Sequence, residues 1–207
     1  MTKRIWTGAG LATPAFEILK ADTDFVAVAE KLGLPLIIKP AQEGSSIGMS
    51  KVNEAGQLEA AYKKAAEYDD VVFAEQWVTG KEYTIAILGD EILPPIRVEA
   101  EADFYDFDAK YASNETQYYC PCGLDESSET VLKALSKMAF EVLSAKGWGR
   151  VDVMQDNVGT FWLIEVNTVP GMTDHSLVPM AAKEQGLSFS ELTVKVLETS
   201  LNKAEVK

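Results

Sequence analysis

The sequence predicts a mixed α/β (α+β) fold, and three observations point to it. Short runs of β-branched and aromatic residues alternate along the chain with stretches that have the helical period. Two of these runs, residues 150–154 and 160–167, flank the turn-forming segment 156–159 and predict a β-hairpin. With 207 residues, of which 47% are hydrophobic, the chain can bury the core of one domain or of two small ones.

The amino-terminal half predicts short elements bounded by glycine, proline and polar turns. In order, these are a helix over 2–7, a strand over 16–19, a helix over 25–32, a strand over 36–40, a helix with Leu58, Ala61, Tyr62 and Ala65 inward, and strands over 71–78 and 82–88. We expect Asp22 or Thr23 to cap the second helix, Gly33 to end it, and Asn53 to cap the next helix.

The carboxyl-terminal half predicts longer helices around the hairpin. In order, the elements are a strand over 92–98 interrupted by two prolines, an irregular loop over 103–123, a helix over 127–146, the hairpin, and helices over 177–185 and 188–201. We interpret the stripe Val131, Leu135, Met138 and Val142, widened by Leu132, Ala139 and Leu143, as core packing. Ser188 and Glu191 have the spacing of a capping box, and the tail from Asn202 is expected to fray.

Composition restricts the classes of partner. The chain has 19 Lys and Arg against 32 Asp and Glu, a net charge of −13. Such a field repels nucleic acid and anionic membranes, so we expect neither as a partner. No run of 18 apolar residues and no signal-peptide pattern is present, which predicts a soluble cytoplasmic protein. Cys120 and Cys122 are too close for a redox pair, and we interpret them as reduced, incidental thiols.

The hairpin carries the strongest chemical pattern. An even-length loop would place Asp152 opposite Leu163 and Arg150 opposite Glu165, so that Arg150, Asp152, Glu165 and Asn167 share one face. Such hard oxygen ligands suit Mg²⁺, and the arginine would meet an anionic substrate or a developing oxyanion. The turn over 168–172 and the helix after it offer backbone N–H groups nearby. A solvated face of mixed charge is the alternative interpretation.

Three further segments are compatible with nucleotide binding. Lys39 ends a strand and leads into a loop, residues 41–50, whose glycines and serines let backbone N–H groups approach a phosphate. The strand around Glu75, with backbone groups at 76–78, could hold a flat adenine against apolar walls. The irregular loop carries Lys110 and Tyr111 and has the length of a lid. Each segment has a simpler interpretation. The first would be an ordinary loop, the second a strand at a domain junction, and the third a surface lysine beside a packed tyrosine.

Five stretches, in order and covering most of the chain, carry a resemblance to a known family. They are LGLPLIIKPAQEGSSIGMSKV, VFAEQWVTGKEYTIAILGDEILP, YDFDAKYASNETQYYCP, KGWGRVDVM and LIEVNTVPGMTDHSLVPMAA. With them the chain resembles the ATP-grasp ligases and, within these, the D-alanine–D-alanine ligases. The resemblance implies an ATP-grasp fold with two subdomains, residues 1–81 and 82–207, that close on the nucleotide.

The resemblance also implies a role for individual residues. The nucleotide would be bound by Lys39, Glu43, Gly44, Ser45 and Ser46 at its phosphates, Glu75, Gln76, Trp77 and Val78 at its adenine, Glu82 at its ribose, and Lys110 from the lid. The metal ligands would be Asp152, Glu165 and Asn167, holding two Mg²⁺, with Mn²⁺ as an alternative. Residues acting on the substrates would be Arg150 and Gly171 at the transition state, Ser45 and Tyr111 at the lid and the first D-alanine, and Ser176 and Leu177 at the second D-alanine.

The implied reaction joins two D-alanines into D-alanyl-D-alanine through an acyl phosphate, for peptidoglycan precursor synthesis. Tyr111 favours the dipeptide over an ester product. Family members carry an additional N-terminal domain to which nothing here corresponds, so we expect ATP·Mg²⁺ binding with weakened binding of the first D-alanine. Full-length relatives are expected to be homodimers, whereas a monomer is the alternative for this chain. An ATP-binding module without turnover, and a ligase for D-alanine plus another amino or hydroxy acid, are the alternatives.

Overall fold

A computed structural model describes residues 1–43, 46–99 and 116–201. Within them the chain divides into two units, each organised around an antiparallel sheet. The smaller unit is Pro14–Val78, and the larger unit combines Met1–Thr13, Thr79–Glu99 and the described residues from Gln117 onward. None of the helices in these residues is long and apolar enough to span a bilayer.

The smaller unit packs two helices on a four-stranded sheet of order β1-β4-β2-β3. Its elements are β1 (Phe16–Leu19), α2 (Phe25–Leu32), β2 (Leu36–Pro40), β3 (Ser50–Val52), α3 (Leu58–Ala65) and β4 (Val72–Gln76). Leu36, Ile38 and Ala74 from the central strands are fully buried against Leu58 and Ala65 of α3. The predicted strands and the inward face of α3 are thereby confirmed.

Gly33 ends α2 as predicted, but the amino-terminal caps in the smaller unit differ from the expected ones. Asp24 caps α2, since its Oδ1 accepts the Ala27 N–H at 3.0 Å, whereas the Thr23 hydroxyl oxygen accepts the Lys20 N–H at 2.7 Å. A 3₁₀ turn over Ala55–Gln57 precedes α3, and its N-cap is Glu54, not Asn53. The helical segment therefore begins at Ala55. The side chain at position 53 lies one residue too early to cap it.

The larger unit contains a sheet of order β10-β9-β5-β7-β8, with β6 paired to β5. Its strands are β5 (Gly80–Leu88), β6 (Glu91–Ile92), β7 (Ile96–Glu99), β8 (Gln117–Tyr119), β9 (Trp148–Asp156) and β10 (Phe161–Asn167), and its helices are α1 (Thr2–Gly8), α4 (Glu126–Glu141), α5 (Leu177–Glu184) and α6 (Phe189–Leu201). One core combines residues of α1, α4, β5, β9 and β10, and a second combines residues of β5, α5 and α6.

The first thirteen residues belong to the larger of the two compact units. The physical reason is Trp6, which is fully buried in the core beside α4 and donates its Nε1–H to the Ala139 carbonyl at 2.9 Å. The Leu163 N–H also bonds the Ala12 carbonyl at 2.9 Å. A buried indole and a backbone bond to β10 therefore attach this segment to the larger sheet.

The core-facing side of α4 was predicted only in part: Leu132 and Ala139 are fully buried and Leu143 packs against the same core, as expected. Val131, Met138 and Val142 are 57%, 49% and 37% exposed, so three of the four residues in the expected stripe do not form the core. The buried residues of this helix are Leu132, Ser136, Ala139 and Phe140. Apolar residues cover a broad arc of α4, and the large Phe140 side chain occupies the sheet surface, which turns the neighbouring stripe towards solvent.

The predicted irregular loop over 103–123 lies partly outside the described residues, which resume at Thr116. Residues 117–119 form the edge strand β8, paired with β7 in the register Arg97↔Tyr119, so this part of the loop prediction is wrong. Cys120 and Cys122 are free thiols, as expected. At the start of α6, the Ser188 N–H donates to Glu191 Oε2 and the Glu191 N–H to Ser188 Oγ, which confirms the capping box. The tail from Asn202 lies outside the described residues.

Gly80→Ala is expected to lower the free energy of unfolding by more than about 2 kcal/mol. Gly80 has φ +155°, and a Cβ there would lie 1.9 Å from the backbone oxygen of Gln155 in β9, which cannot move aside as a side chain would. Urea unfolding followed by tryptophan fluorescence measures the change. Gly8→Ala in α1 is the matched control, because a Cβ there meets nothing within 4 Å. An unchanged urea midpoint for Gly80→Ala would contradict the prediction.

The Cys120 thiol is expected to alkylate slowly in the folded chain. Burial, with a contribution from the Glu184 charge, raises the pKa of Cys120 from its ordinary 9.0 to about 11. Because the thiolate is the nucleophile, iodoacetamide at pH 8 should modify Cys120 about 100-fold more slowly in the native chain than in urea. Peptide mass spectrometry gives both rates, and the native rate should rise about tenfold per pH unit from pH 8 to pH 10. Equal rates in the two states would contradict this expectation.

Candidate functional site

Four polar residues of the hairpin lie on one face of the larger sheet, as predicted. Arg150 donates from Nε and Nη2 to the two carboxylate oxygens of Asp152, both at 2.8 Å. The Asn167 amide nitrogen donates to Asp152 Oδ2 and to Glu165 Oε1, both at 3.0 Å. The four side chains that the pattern singled out are therefore linked by hydrogen bonds in the folded chain.

The strand register that we expected is wrong. Glu165 lies opposite Asp152 and Asn167 opposite Arg150, whereas Leu163 lies opposite Val153. A β-bulge at Ile164 inserts one residue, so Leu163 points into the core and is fully buried, while Glu165 points to the polar face. Without the bulge, residues 163 and 165 would share a face and a leucine would stand among the charged groups.

Asp152 is the centre of this network. It is 8% exposed and accepts four hydrogen bonds, two from Arg150, one from Asn167 and one from the Thr84 hydroxyl at 2.5 Å. A buried carboxylate requires such compensation, since leaving its oxygens unpaired would cost several kcal/mol. The orientation of Asp152 is therefore fixed by three neighbouring side chains.

Arg150 remains charged at this site. Burial opposes its charge, but the Asp152 hydrogen bonds and the charges of Asp152, Glu165 and Glu82 outweigh burial and raise the pKa of Arg150 above its ordinary value. Glu82 of β5 is exposed and lies two residues from Thr84, which pairs with Asp152, so it belongs to the same face. This face therefore combines three carboxylates with one fixed guanidinium.

The donor set fits a hard divalent cation. Asp152, Glu165 and Asn167 converge, because one amide nitrogen lies 3.0 Å from an oxygen of each carboxylate. Rotating that amide by half a turn would present its Oδ1 beside the two carboxylates, which is the oxygen set that Mg²⁺ takes. The described residues hold no group of three or more His, Cys, Asp and Glu side chains placed to bind one metal ion, so the amide of Asn167 would be needed as a ligand beside the two carboxylates.

The segment after β10 carries three further residues with predicted roles, Gly171, Ser176 and Leu177. Ser176 is the N-cap of α5, and its hydroxyl accepts the Thr173 N–H at 3.0 Å and shares a 2.8 Å hydrogen bond with the Thr173 hydroxyl. Gly171 passes close to Ser176, since a Cβ at Gly171 would lie 2.9 Å from that hydroxyl oxygen. Leu177, the first residue of α5, is half-buried and packs against the second core.

In the smaller unit, Lys39 and Glu75 form a partly buried ion pair. Lys39 Nζ lies 3.2 Å from Glu75 Oε2, and the two side chains are 13% and 2% exposed. Lys39 Nζ also lies 5.8 Å from the centre of the Phe73 ring. The two residues sit on adjacent strands, β2 and β4, and this pairing fixes the lysine that the sequence associates with phosphate.

Two backbone N–H groups of the segment expected to frame adenine are hydrogen-bonded within the smaller unit. The Gln76 N–H donates to the Ala15 carbonyl at 2.8 Å and the Trp77 N–H to the Pro35 carbonyl at 3.1 Å. Contacts to a base from these two residues would therefore use carbonyl oxygens or side chains. Lys51 Nζ lies 4.1 Å from the centre of the Trp77 ring, a cation–π contact. Val78, the fourth residue of this set, is half-buried.

The phosphate loop is described only in part. Glu43 is exposed, Ser46 adopts the left-handed conformation with φ 64°, and Gly48 does so with φ 68°. A Cβ at Gly48 would lie 2.7 Å from the Tyr68 ring, so the loop closes against that aromatic side chain. Gly44 and Ser45 of this loop, and Lys110 and Tyr111 of the expected lid, lie outside the described residues.

Sequence reasoning missed two residues that the structure brings to these sites. Thr84 bonds the central carboxylate Asp152, and Lys51 lies over Trp77. Alternation along β5 places Thr84 on the same face as Glu82, but its partner Asp152 is set by the β5–β9 register, which only the folded sheet shows. No local pattern predicted the Lys51 contact, which depends on how β3 and the end of β4 meet in the folded unit.

The two antiparallel sheets and the polar hairpin face define an ATP-grasp fold. The family model described as D-ala D-ala ligase C-terminus matches residues 5–198. The chain belongs to the D-alanine–D-alanine ligase family.

Individual relatives show how far the similarity extends. The chain is 55% identical over 202 residues to D-alanine--D-alanine ligase of Psychrobacter sp. (strain PRwf-1), covering 97% of this chain and 61% of that protein. The structure matches VanG D-Ala:D-Ser ligase of Enterococcus faecalis with a TM-score of 0.85 and 32% identity, over 96% of this chain and 60% of that one. It also matches D-alanine--D-alanine ligase of Bacillus anthracis complexed with ATP, with a TM-score of 0.84 and 29% identity, over 97% and 64%. The chain thus spans about three fifths of the length of these relatives.

Proposed function

We propose that this chain is the nucleotide- and metal-binding catalytic part of a ligase that joins two D-alanines at the expense of ATP, supplying the dipeptide for peptidoglycan precursors. The observation that carries the proposal is the hydrogen-bonded set of Arg150, Asp152, Glu165 and Asn167 on one sheet face in a member of this family. An ATP-consuming reaction of this kind is expected in the cytoplasm, where ATP is made, and we expect the full-length enzyme to be a homodimer.

The chemistry requires charge compensation twice. In the first step a carboxylate oxygen of D-alanine attacks the γ-phosphorus of ATP, ADP leaves, and an acyl phosphate forms. In the second step the amine of another D-alanine attacks the acyl carbon, phosphate leaves, and the amine proton is lost. Negative charge accumulates first on phosphoryl oxygens and then on a tetrahedral oxyanion, so both steps gain from fixed positive charge.

Residues of this chain are suited to these demands. Asp152, Glu165 and Asn167 would hold Mg²⁺, with Mn²⁺ as a substitute, and the bound ion supplies electrostatic neutralisation of the nucleotide phosphates. Arg150 is held in place by Asp152 and stays charged, so it can stabilise the developing oxyanion without reorganisation. Lys39, fixed by Glu75, would meet a phosphate. The Ser176 hydroxyl and the first N–H groups of α5 would bind a substrate carboxylate.

Phosphate release tests the proposal. The chain is incubated with ATP, Mg²⁺ and D-alanine, with and without the separately purified amino-terminal remainder of a relative. Release that depends on D-alanine supports the ligase, and mass spectrometry should then find D-alanyl-D-alanine. Binding of ATP without D-alanine-dependent release under either condition would contradict it.

A nucleotide-binding module without turnover is the second candidate, because the chain spans 61% of the Psychrobacter relative. The similarity to a D-Ala:D-Ser ligase supports a further variant, in which the second substrate differs. Offering D-alanine, D-serine and D-lactate together and identifying the product by mass separates these substrates. D-alanyl-D-alanine as the predominant product supports the first proposal.

A further inference from the structure

Thr84 occupies the point where one face of β5 changes from open to covered. On this face Glu82 is exposed, whereas Ala86 and Leu88 are buried in the core with α5 and α6. Thr84 lies between them and is 3% exposed. Packing alone would be satisfied there by an isosteric valine, so the buried hydroxyl must be accounted for by its hydrogen bond.

That hydrogen bond goes to Asp152. Thr84 and Asp152 are direct partners in the β5–β9 register, and the hydroxyl donates to Oδ1 at 2.5 Å. The other oxygen, Oδ2, accepts from the Asn167 amide, which also donates to Glu165. Thr84 therefore holds the oxygen on the β5 side of the carboxylate, and the second oxygen faces the other two polar residues of the hairpin.

We propose that Thr84 is a positioning residue that fixes the Asp152 carboxylate so that Oδ2 is presented, with Glu165 and Asn167, to a divalent cation. The inference rests on the proposed magnesium-dependent function and extends it to a residue that contacts neither nucleotide nor metal. A β-branched side chain has few χ1 rotamers, so a hydroxyl anchored at a buried backbone position is a rigid support.

Arg150 alone would not fix the carboxylate equally well. Its guanidinium bonds both oxygens, but Arg150 lies on β9, the same strand as Asp152, so this pair does not tie the carboxylate to another strand. Thr84 comes from a different strand and lies at the edge of the second core. Thr84 and Arg150 therefore hold the carboxylate from different strands, and removing Thr84 leaves it bonded only by the hairpin residues Arg150 and Asn167.

The test compares Thr84→Val, which keeps the shape and removes the hydroxyl, with Thr84→Ser, which keeps the hydroxyl. The non-hydrolysable ATP analogue AMP-PNP is titrated calorimetrically into the 207-residue chain at a series of MgCl₂ concentrations. Mn²⁺ binding is followed by electron paramagnetic resonance in the presence of the same analogue. For Thr84→Val we expect the Mg²⁺ concentration at half-effect to rise about 10- to 100-fold, the range usual for a residue that supports a metal ligand. Thr84→Ser should stay within about threefold of the parent.

The outcomes separate this inference from the proposed function. Metal-free binding of AMP-PNP should be unchanged in Thr84→Val, because shape and packing are retained. If Thr84→Val fails to fold, Thr84→Ala carries the same comparison. Parent-like Mg²⁺ dependence in Thr84→Val, while Glu165→Gln loses it, would overturn the role of Thr84 and leave the proposed function standing. Absence of any Mg²⁺ dependence in the parent chain would overturn both.

Discussion

Asp152→Asn is expected to weaken Mg²⁺-dependent nucleotide binding by more than about 100-fold, because it removes a proposed metal ligand outright and not only a residue that supports one. It should also lower the free energy of unfolding by about 2–3 kcal/mol. The carboxylate is the ion-pair partner of Arg150, whose side chain is 20% exposed, and an amide would leave that guanidinium without a counter-charge. Calorimetric titration with AMP-PNP and Mg²⁺ measures the first effect, and urea unfolding measures the second.

Glu165→Gln is the matched control for this pair of effects. Glu165 lies opposite Asp152 but is exposed. Its substitution should weaken Mg²⁺-dependent binding, while the free energy of unfolding stays within about 0.5 kcal/mol of the parent value. Loss of binding in both variants, with loss of stability only in Asp152→Asn, would support the metal assignment. Parent-like Mg·AMP-PNP binding by either variant would show that the assignment is wrong.

Trp6→Ala is expected to lower the free energy of unfolding by about 3–5 kcal/mol. Trp6 is fully buried in the core formed with α4 and the larger sheet, and its indole N–H bonds the Ala139 carbonyl at 2.9 Å. Truncation would leave a cavity and remove that bond. Urea unfolding followed by circular dichroism measures the midpoint, and amide hydrogen exchange should show lost protection in the larger unit.

Two controls separate burial from mere apolarity. Trp6→Phe keeps most of the apolar volume and loses only the indole hydrogen bond, so it should cost about 1–2 kcal/mol. Met138→Ala in α4 removes a long apolar side chain that is 49% exposed. It should change the free energy of unfolding by less than about 0.5 kcal/mol. A large loss for Met138→Ala with none for Trp6→Ala would show that the core has been assigned to the wrong residues.

The polar hairpin shows how much of the site a local pattern can predict. Alternation along β9 and β10 was sufficient to place Arg150, Asp152, Glu165 and Asn167 on one face, and the hydrogen bonds confirm it. The register was beyond that pattern, because the bulge at Ile164 has no local signal in the alternation. It forms because Leu163 gains by burial on the core face while Glu165 stays with the charged groups, and both conditions are met only in the assembled sheet.

The helix α4 shows the opposite limit. Its sequence predicted the helix and the burial of Leu132 and Ala139, but the apolar residues cover so wide an arc that periodicity could not show that Val131, Met138 and Val142 lie outside the core. The buried side is formed by Phe140, Leu132 and Ala139, which pack in one core with Trp6. Similarly, nothing near Trp6 in sequence reveals that its hydrogen-bond partner is the Ala139 carbonyl.

The sequence by itself determined the mixed α/β class, most of the helices and strands, the family resemblance and the residues of the polar hairpin face. Each of these depends on a short-range period or on residue identities in order, which the chain carries whether or not it is folded. The tertiary structure alone decided the hairpin register, the buried side of α4, the attachment of α1 to the larger sheet, and the bond from Thr84 to Asp152. These depend on which distant surfaces bury the most apolar area and pair the most polar atoms, a comparison that no local pattern contains.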